Sequence, residues 1–270
     1  MPESKLPSYL NPPVIETVLS VQFAPIEGWT IGHFGLFWSS VREHLPRIES
    51  HQPLPNEVED LDSLRPTENQ LKLAVGVPDP RCWFLDQNGQ ELLQVQRNRF
   101  TYNWRAISSD HKYPRYENLV RPQFIRFWES FETFLQEESL ALPAVVQCEV
   151  TYVNIMPKGS GWDSVGDWGN MFNVLKKHPE HAFLPEPESG NFGFSYQLPD
   201  KLGRLRVTVN HAFRKNDGSE AVQLQLTARG RPKGSATQDV VDWLDVGRDW
   251  GVRGFDDMTT PESHELWGEE

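Results

Sequence analysis

Six arginines fall at strand-like spacing in three separate stretches of the chain. In QVQRNRFTYNWR, Arg97, Arg99 and Arg105 share alternate positions with Asn103, opposite Phe100, Tyr102 and Trp104. In GRLRVTVNHAF, Arg204 and Arg206 alternate with Leu205, Val207 and Val209. In AVQLQLTARG, Arg229 follows Gln223, Gln225 and Thr227, against Val222, Leu224 and Leu226. Successive strand residues point to opposite faces, so each pattern gathers arginines and amides on one sheet face. A guanidinium is a planar fork of donors that suits a carboxylate or phosphate. Such faces would grip an anionic or extended ligand. A sheet with one face in water gives the same alternation with no function attached.

Other chemistries find less support. His178 and His181 form HPEH, but Pro179 disfavours a helix and no Cys or Asp cluster completes a metal site, so they read as solvated loop histidines. Cys82 and Cys148 lie in apolar strand-like runs, where a thiol is a small hydrophobe with a raised pKa. There is no GxSxG elbow. The GSGWDSVG run at 159–166 lacks the Lys-Ser/Thr ending of a phosphate loop and reads as a connector. Asp239, Asp242, Asp245 and Asp249 recur at three and four along one helix face, which in so acidic a chain reads as a solvated face. The nearest approach to a catalytic set is His211 beside Arg206 with scattered carboxylates. The expectation is a non-enzymatic protein with no cofactor and no metal.

The elements that would carry these residues follow from periodicity. VIETVLSVQF (14–23) reads as a strand. From Trp29, Phe34, Phe37, Trp38, Val41 and Leu45 make a helical stripe that Pro46 stops. Residues 49–70 read as an acidic, proline-bearing loop. RCWFLD and ELLQVQRNRFTYNWRA read as two antiparallel strands joined at Asn88-Gly89. Phe124, Phe127, Trp128, Phe131, Phe134 and Leu135 define a second helix, ended before Pro143. VVQCEVTYVNIMP (145–157) is the next strand, then a short helix around Trp168, Met171, Phe172 and Leu175. Three more strands follow, NFGFSYQL, GRLRVTVNHAF and AVQLQLTARG, with Asn216-Asp217-Gly218 in the last turn. Asp239 is a candidate cap for a final helix carrying Val240, Trp243, Leu244 and Trp250. The predicted fold class is α+β: a tandem repeat of strand-helix-strands-helix units, with antiparallel sheets and helices packed on one face. The units would be residues 1–143 and 144–270, as two domains or one continuous one.

The bulk properties set the class. The chain has 270 residues, a net charge of −12, 10 Trp and 15 Phe, enough aromatic surface for a substantial core. The acidic balance argues against nucleic acid, whose binding needs a basic surface. No apolar run approaches a membrane span, the first residues show no basic then apolar leader, and two cysteines make no disulfide framework. The expected setting is the cytoplasm.

PPVIETVLSVQF, QVQRNRFTYNWR with YPRYENL, VTYVNIMP, and the closing GFDDMTTPESHELWG with its His264-x-x-Trp267-Gly268 come in an order that resembles one bacterial family. It is the sporadically distributed family of uncharacterised proteins of about this length, which carries no established activity or catalytic residues. The resemblance implies an accessory component of a mobile kind, as in toxin–antitoxin or phage-defence systems. The unit order is also loosely similar to the duplicated ligand-binding modules of the gyrase-inhibitor-like proteins.

Two binding modes follow as expectations. In the first, the sheet faces or the tail, with Phe255, Met258, Leu266 and Trp267 as apolar anchors among acids, meet a protein partner or a second copy of the chain. In the second, Arg97, Arg99, Arg204, Arg206 and Arg229 surround a small anionic ligand in a cleft between the halves.

Overall fold

The computed structural model describes residues 5–63, 80–108, 110–176, 183–214 and 217–270. His178, His181 and Asn216 lie outside the described residues. The elements in chain order are β1 (Val14–Phe23), α1 (Ile31–Val41), β2 (Arg47–His51), β3 (Arg81–Leu85), β4 (Glu91–Gln96), β5 (Arg99–Arg105), α2 (Arg121–Glu137), β6 (Val145–Pro157), β7 (Asn191–Gln197), β8 (Gly203–Phe213), β9 (Glu220–Gly230), α3 (Thr237–Met258) and α4 (Pro261–Trp267).

The strands form one nine-stranded antiparallel sheet in the order β2-β3-β4-β5-β1-β6-β9-β8-β7. Its centre is the β1–β6 pair, with Leu19 opposite Val150 and Val21 opposite Cys148. The expected boundary near Pro143 falls between α2 and β6, and it does not separate two sheets.

One face of the sheet is apolar and carries the helices. Leu19, Val21 and Phe23 of β1, Phe100 and Tyr102 of β5, Val207 of β8 and Leu224 and Leu226 of β9 are all buried. The α2 stripe packs on this face through its aromatic rings, with Phe100 lying 5.2 Å from Phe131 and 5.3 Å from Trp128. Phe37 of α1 meets the same ring of Phe131 at 5.2 Å. Each such aromatic pair adds roughly 1 kcal/mol beyond area burial. On the other half α3 lies close because Gly247 and Gly251 face β6. A Cβ on Gly251 would stand 3.2 Å from the Tyr152 ring.

Four sequence-based expectations are corrected. ELLQVQRNRFTYNWRA is two strands, β4 and β5, reversed at Arg97-Asn98 with Gln96 opposite Arg99. This turn carries no glycine. Its two carbonyls instead accept the amides of Phe23 and Ile26, each at 3.0 Å, which fixes the reversal from outside the hairpin. The acidic loop begins later than expected, because RIESH is the edge strand β2, and short charged strands suit a sheet edge. The stretch around Trp168 is a 3₁₀ segment at Val165–Asn170, consistent with the low helix propensity of its glycines. Asp239 is not a cap: Ala236 holds that position and Asp239 lies in the first turn, where the helix dipole favours an acid. No helix among the described residues is long and apolar enough to cross a membrane.

Candidate functional site

The polar face of the sheet is covered by its own chain. After β2 the backbone leaves the sheet edge, and residues 52–63 run without helix or strand across the opposite side from the helices. This strap starts over β4 and ends over β7, so it spans both halves of the sheet. Its backbone is bonded by side chains rising from the strands. Gln96 of β4 accepts the Leu54 amide at 2.8 Å and donates to the Leu54 carbonyl at 3.4 Å. Arg99 of β5 donates to the Pro55 carbonyl at 3.2 Å. Gln147 of β6 accepts the Glu59 amide at 2.7 Å and donates to the Glu57 carbonyl at 3.1 Å. Arg204 of β8 reaches the carbonyls of Asp60 at 2.9 Å and Ser63 at 3.3 Å, and Gln197 of β7 reaches that of Leu61 at 3.1 Å.

One strap side chain is inserted. The Glu59 carboxylate is only 4% exposed and binds both Arg204 and Arg206, the latter through Nε at 3.1 Å and Nη2 at 2.7 Å. Burial by itself would raise the Glu59 pKa, but the hydrogen bonds from Arg206 and Arg204 outweigh it and hold the carboxyl below its ordinary value. Arg204 is 3% exposed, so neither partner of that pair could lose the other without stranding a buried charge.

Five of the six expected arginines share the polar face and Arg97 does not join them, yet each of the six has an acceptor within the chain. Arg97 sits in the β4–β5 turn and donates to the Ile26 carbonyl at 3.1 Å. Arg99 adds a bond to Gln22 at 2.7 Å, and burial lowers its pKa. Arg105 donates to the Gly89 carbonyl at 2.8 Å and lies over the Trp83 ring. Arg229 meets Glu149 at 2.5 Å and Glu57 at 3.5 Å. Burial would lower its pKa, but these carboxylates raise it. Between the arginines, hydroxyl and amide side chains bond one another across strands, as in Ser20 with Thr101 at 2.6 Å and Thr151 with Thr227 at 2.9 Å. The face is therefore a bonded network under a strap, where an open basic surface was expected, although the Nε atoms of Arg99, Arg105 and Arg204 have no hydrogen-bond partner among the described residues.

Sequence reasoning missed Glu59, Gln96 and Gln147. Gln96 reaches the polar face only because the chain reverses at Arg97-Asn98, and nothing in the spacing of either glutamine says what it holds. Glu59 is one acid among many in its segment, and its role depends on strands that come far later in the chain.

The tail is likewise committed to its own chain. Trp267 is 9% exposed and packs its ring 5.0 Å from Phe255 and 6.0 Å from Tyr9. Of the four expected anchors, Phe255, Met258 and Trp267 are buried, leaving only Leu266 exposed. Thr260 caps α4 by accepting the Ser263 amide, and Gly268, at φ 69°, ends it. His264 Nδ1 lies 3.9 Å from both Asp256 and Glu269, a grouping that could face a cation. The Asp256 oxygen concerned already accepts the Tyr9 hydroxyl at 2.5 Å, so the cluster acts as a clamp between the two chain ends.

No family model, curated protein or solved structure matches the chain. Its functional reading rests on geometry.

Proposed function

We propose that the chain is a non-enzymatic interaction protein whose polar sheet face receives an extended, acidic peptide segment, and that the strap fills this face in cis. The observation behind this reading is the paired clasp of Gln96 and Gln147, each of which meets both an N–H and a C=O of the strap backbone. Side-chain amides that satisfy a backbone in this way serve any extended segment, whatever its side chains. Selectivity then comes from the Arg204–Arg206 fork, which suits a carboxylate two residues beyond the second clasp's carbonyl.

The occupant in trans is an acidic segment of a partner protein, or the strap of a second copy. A tethered strap competes at high effective concentration, so the face opens only to a partner that is tighter or locally abundant. This behaviour suits an accessory regulatory component of the kind the family resemblance implies. The strand order supports a further element of the proposal, that residues 1–143 and 144–270 are two copies of one plan. Outward from the central pair, β1 is followed by β5, β4 and β3, and β6 by β9, β8 and β7.

The test uses full-length protein in which residues 54–63 are replaced by a Gly-Ser linker of equal length. A fluorescent peptide of sequence LPNEVEDLDS should bind it with a Kd on the order of 10–100 μM, and wild type at least tenfold more weakly. A peptide with glutamine at the Glu59 position should also bind at least tenfold more weakly. Equal anisotropy for both peptides, or no binding by a folded linker variant, would overturn the proposal.

A further inference from the structure

A cavity lies on the opposite side of the sheet from the strap, against the helices, and shares no residue with it. It is a cleft of about 340 Å³ between the approach to α2 and the middle of α3. That volume lies within the range of small-molecule sites. Its floor is the central strand pair, through Val14 of β1 and Tyr152 and Asn154 of β6, and its walls include Tyr113, Tyr116, Arg248 and Phe255.

Three features distinguish it from an ordinary packing gap. The first is Asn154, which is 1% exposed. Its Nδ2 donates to the Leu224 carbonyl at 3.1 Å, which fixes the orientation of the amide, yet its Oδ1 has no partner among the described residues. A buried carbonyl oxygen left so costs free energy and calls for an explanation. The second is the backbone of the wall. Arg115 has φ 72° and ψ 148°, and Tyr116–Val120 forms a π-helical turn ahead of α2. Conformations of this kind gather at functional sites. Here they set the Tyr116 ring under the Arg248 guanidinium, 5.4 Å away, and its hydroxyl on Asp245 at 2.8 Å.

The third is charge. The cleft contains two arginines, both ion-paired: Arg115 with Glu270, besides its bonds to Ser8 and the Tyr9 carbonyl, and Arg248 with Glu117 and Asp249 through its terminal nitrogens, its Nε having no hydrogen-bond partner among the described residues. Burial raises the pKa of Tyr113, Tyr116 and Tyr152, which keeps their hydroxyls neutral. Glu117 and Glu270 line the cleft as the partners of these arginines, so its four charges cancel and give an anion no net attraction. The interior is aromatic and balanced in charge, and in Asn154 Oδ1 it holds an acceptor with no donor among the described residues.

We infer that this cleft binds a neutral, planar aromatic compound carrying an O–H or N–H donor, with the donor directed at Asn154 Oδ1 and the ring among the three tyrosines.

Three matched probes test it on the intact protein by isothermal titration calorimetry: 2-naphthol, its methyl ether and 2-naphthoate. The expected result is saturable binding of 2-naphthol, with the ether and the carboxylate at least tenfold weaker. In Asn154→Leu, 2-naphthol and its ether should come within twofold of each other. In Val252→Trp, which fills the cleft from α3, 2-naphthol binding should be lost. Failure of wild type to bind 2-naphthol saturably, equal affinity for the ether, or a preference for the carboxylate would overturn the inference. The wild-type comparison decides the matter even where a variant does not fold.

Discussion

Gln147 holds Glu59 by its backbone: the Glu59 amide donates to Gln147 Oε1 at 2.7 Å, from a position 88 residues earlier in the chain. Gln147 belongs to the central strand β6, so this bond ties the strap to the most buried part of the sheet. Side-chain chemistry is added two strands away on β8, where the Glu59 carboxylate reaches Arg204 and Arg206. Backbone grip and charge recognition are thus separate devices, and they can be removed separately.

Glu59→Gln keeps the shape of the strap and removes its inserted charge. Arg204 would then carry an uncompensated buried charge, a loss of the order of 3 kcal/mol. Arg206 is 43% exposed and can turn to water, so it adds little to that cost. Urea unfolding of the variant against wild type checks the figure. A change below about 0.5 kcal/mol would mean that the pair contributes nothing, as surface substitutions do.

The same carboxylate makes strap attachment pH-dependent. The folded pKa of Glu59 is depressed below its ordinary 4.5, so its stabilisation is fully present above pH 4.5 and is lost as pH falls through the folded value. Limited proteolysis should find the strap protected at neutral pH and cut increasingly fast below pH 4.5 while the strands stay intact. Glu59→Gln should show no such step. A step of equal size in both proteins would assign it to other groups.

Trp267→Ala should destabilise the fold by about 3–5 kcal/mol, the usual cost of truncating a buried tryptophan. The ring sits against Phe255 and Tyr9, so its loss also loosens the first residues of the chain. An unchanged melting temperature would contradict this and restore the tail as a surface for a partner.

Both thiols should be silent in the native protein. Burial pushes Cys82 up to about 11 and raises Cys148 further. A thiolate is the reactive form, so Ellman's reagent at pH 8 should label neither cysteine until urea is added. Rapid labelling of either one in the folded state would contradict its burial.

Much of the fold was legible because periodicity is local. The α2 stripe of Phe124, Phe127, Trp128 and Phe131 and the strands β6, β8 and β9 follow from residue spacing alone. The β4–β5 reversal did not, since Arg97-Asn98 has no turn glycine and is held by amides from Phe23 and Ile26. The site divided along the same line. Alternation placed Arg99, Arg105, Arg204, Arg206 and Arg229 on one face, which needs only neighbours in sequence. That Glu59 would cover Arg204 depends on a contact across 145 residues, which no local pattern encodes. The cleft at Asn154 is hidden for the same reason, because its walls come from β1, β6, α3 and the approach to α2.

The decisive measurement is hydrogen exchange of the wild-type protein with and without a large excess of the LPNEVEDLDS peptide. The Leu54 and Glu59 amides, bonded to Gln96 and Gln147, should exchange slowly alone and rapidly with the peptide present, while the amides of β1 and β6 stay protected throughout. Unchanged protection of Leu54 and Glu59 at saturating peptide, or their release only together with the strands, would show the strap to be a fixed part of the fold.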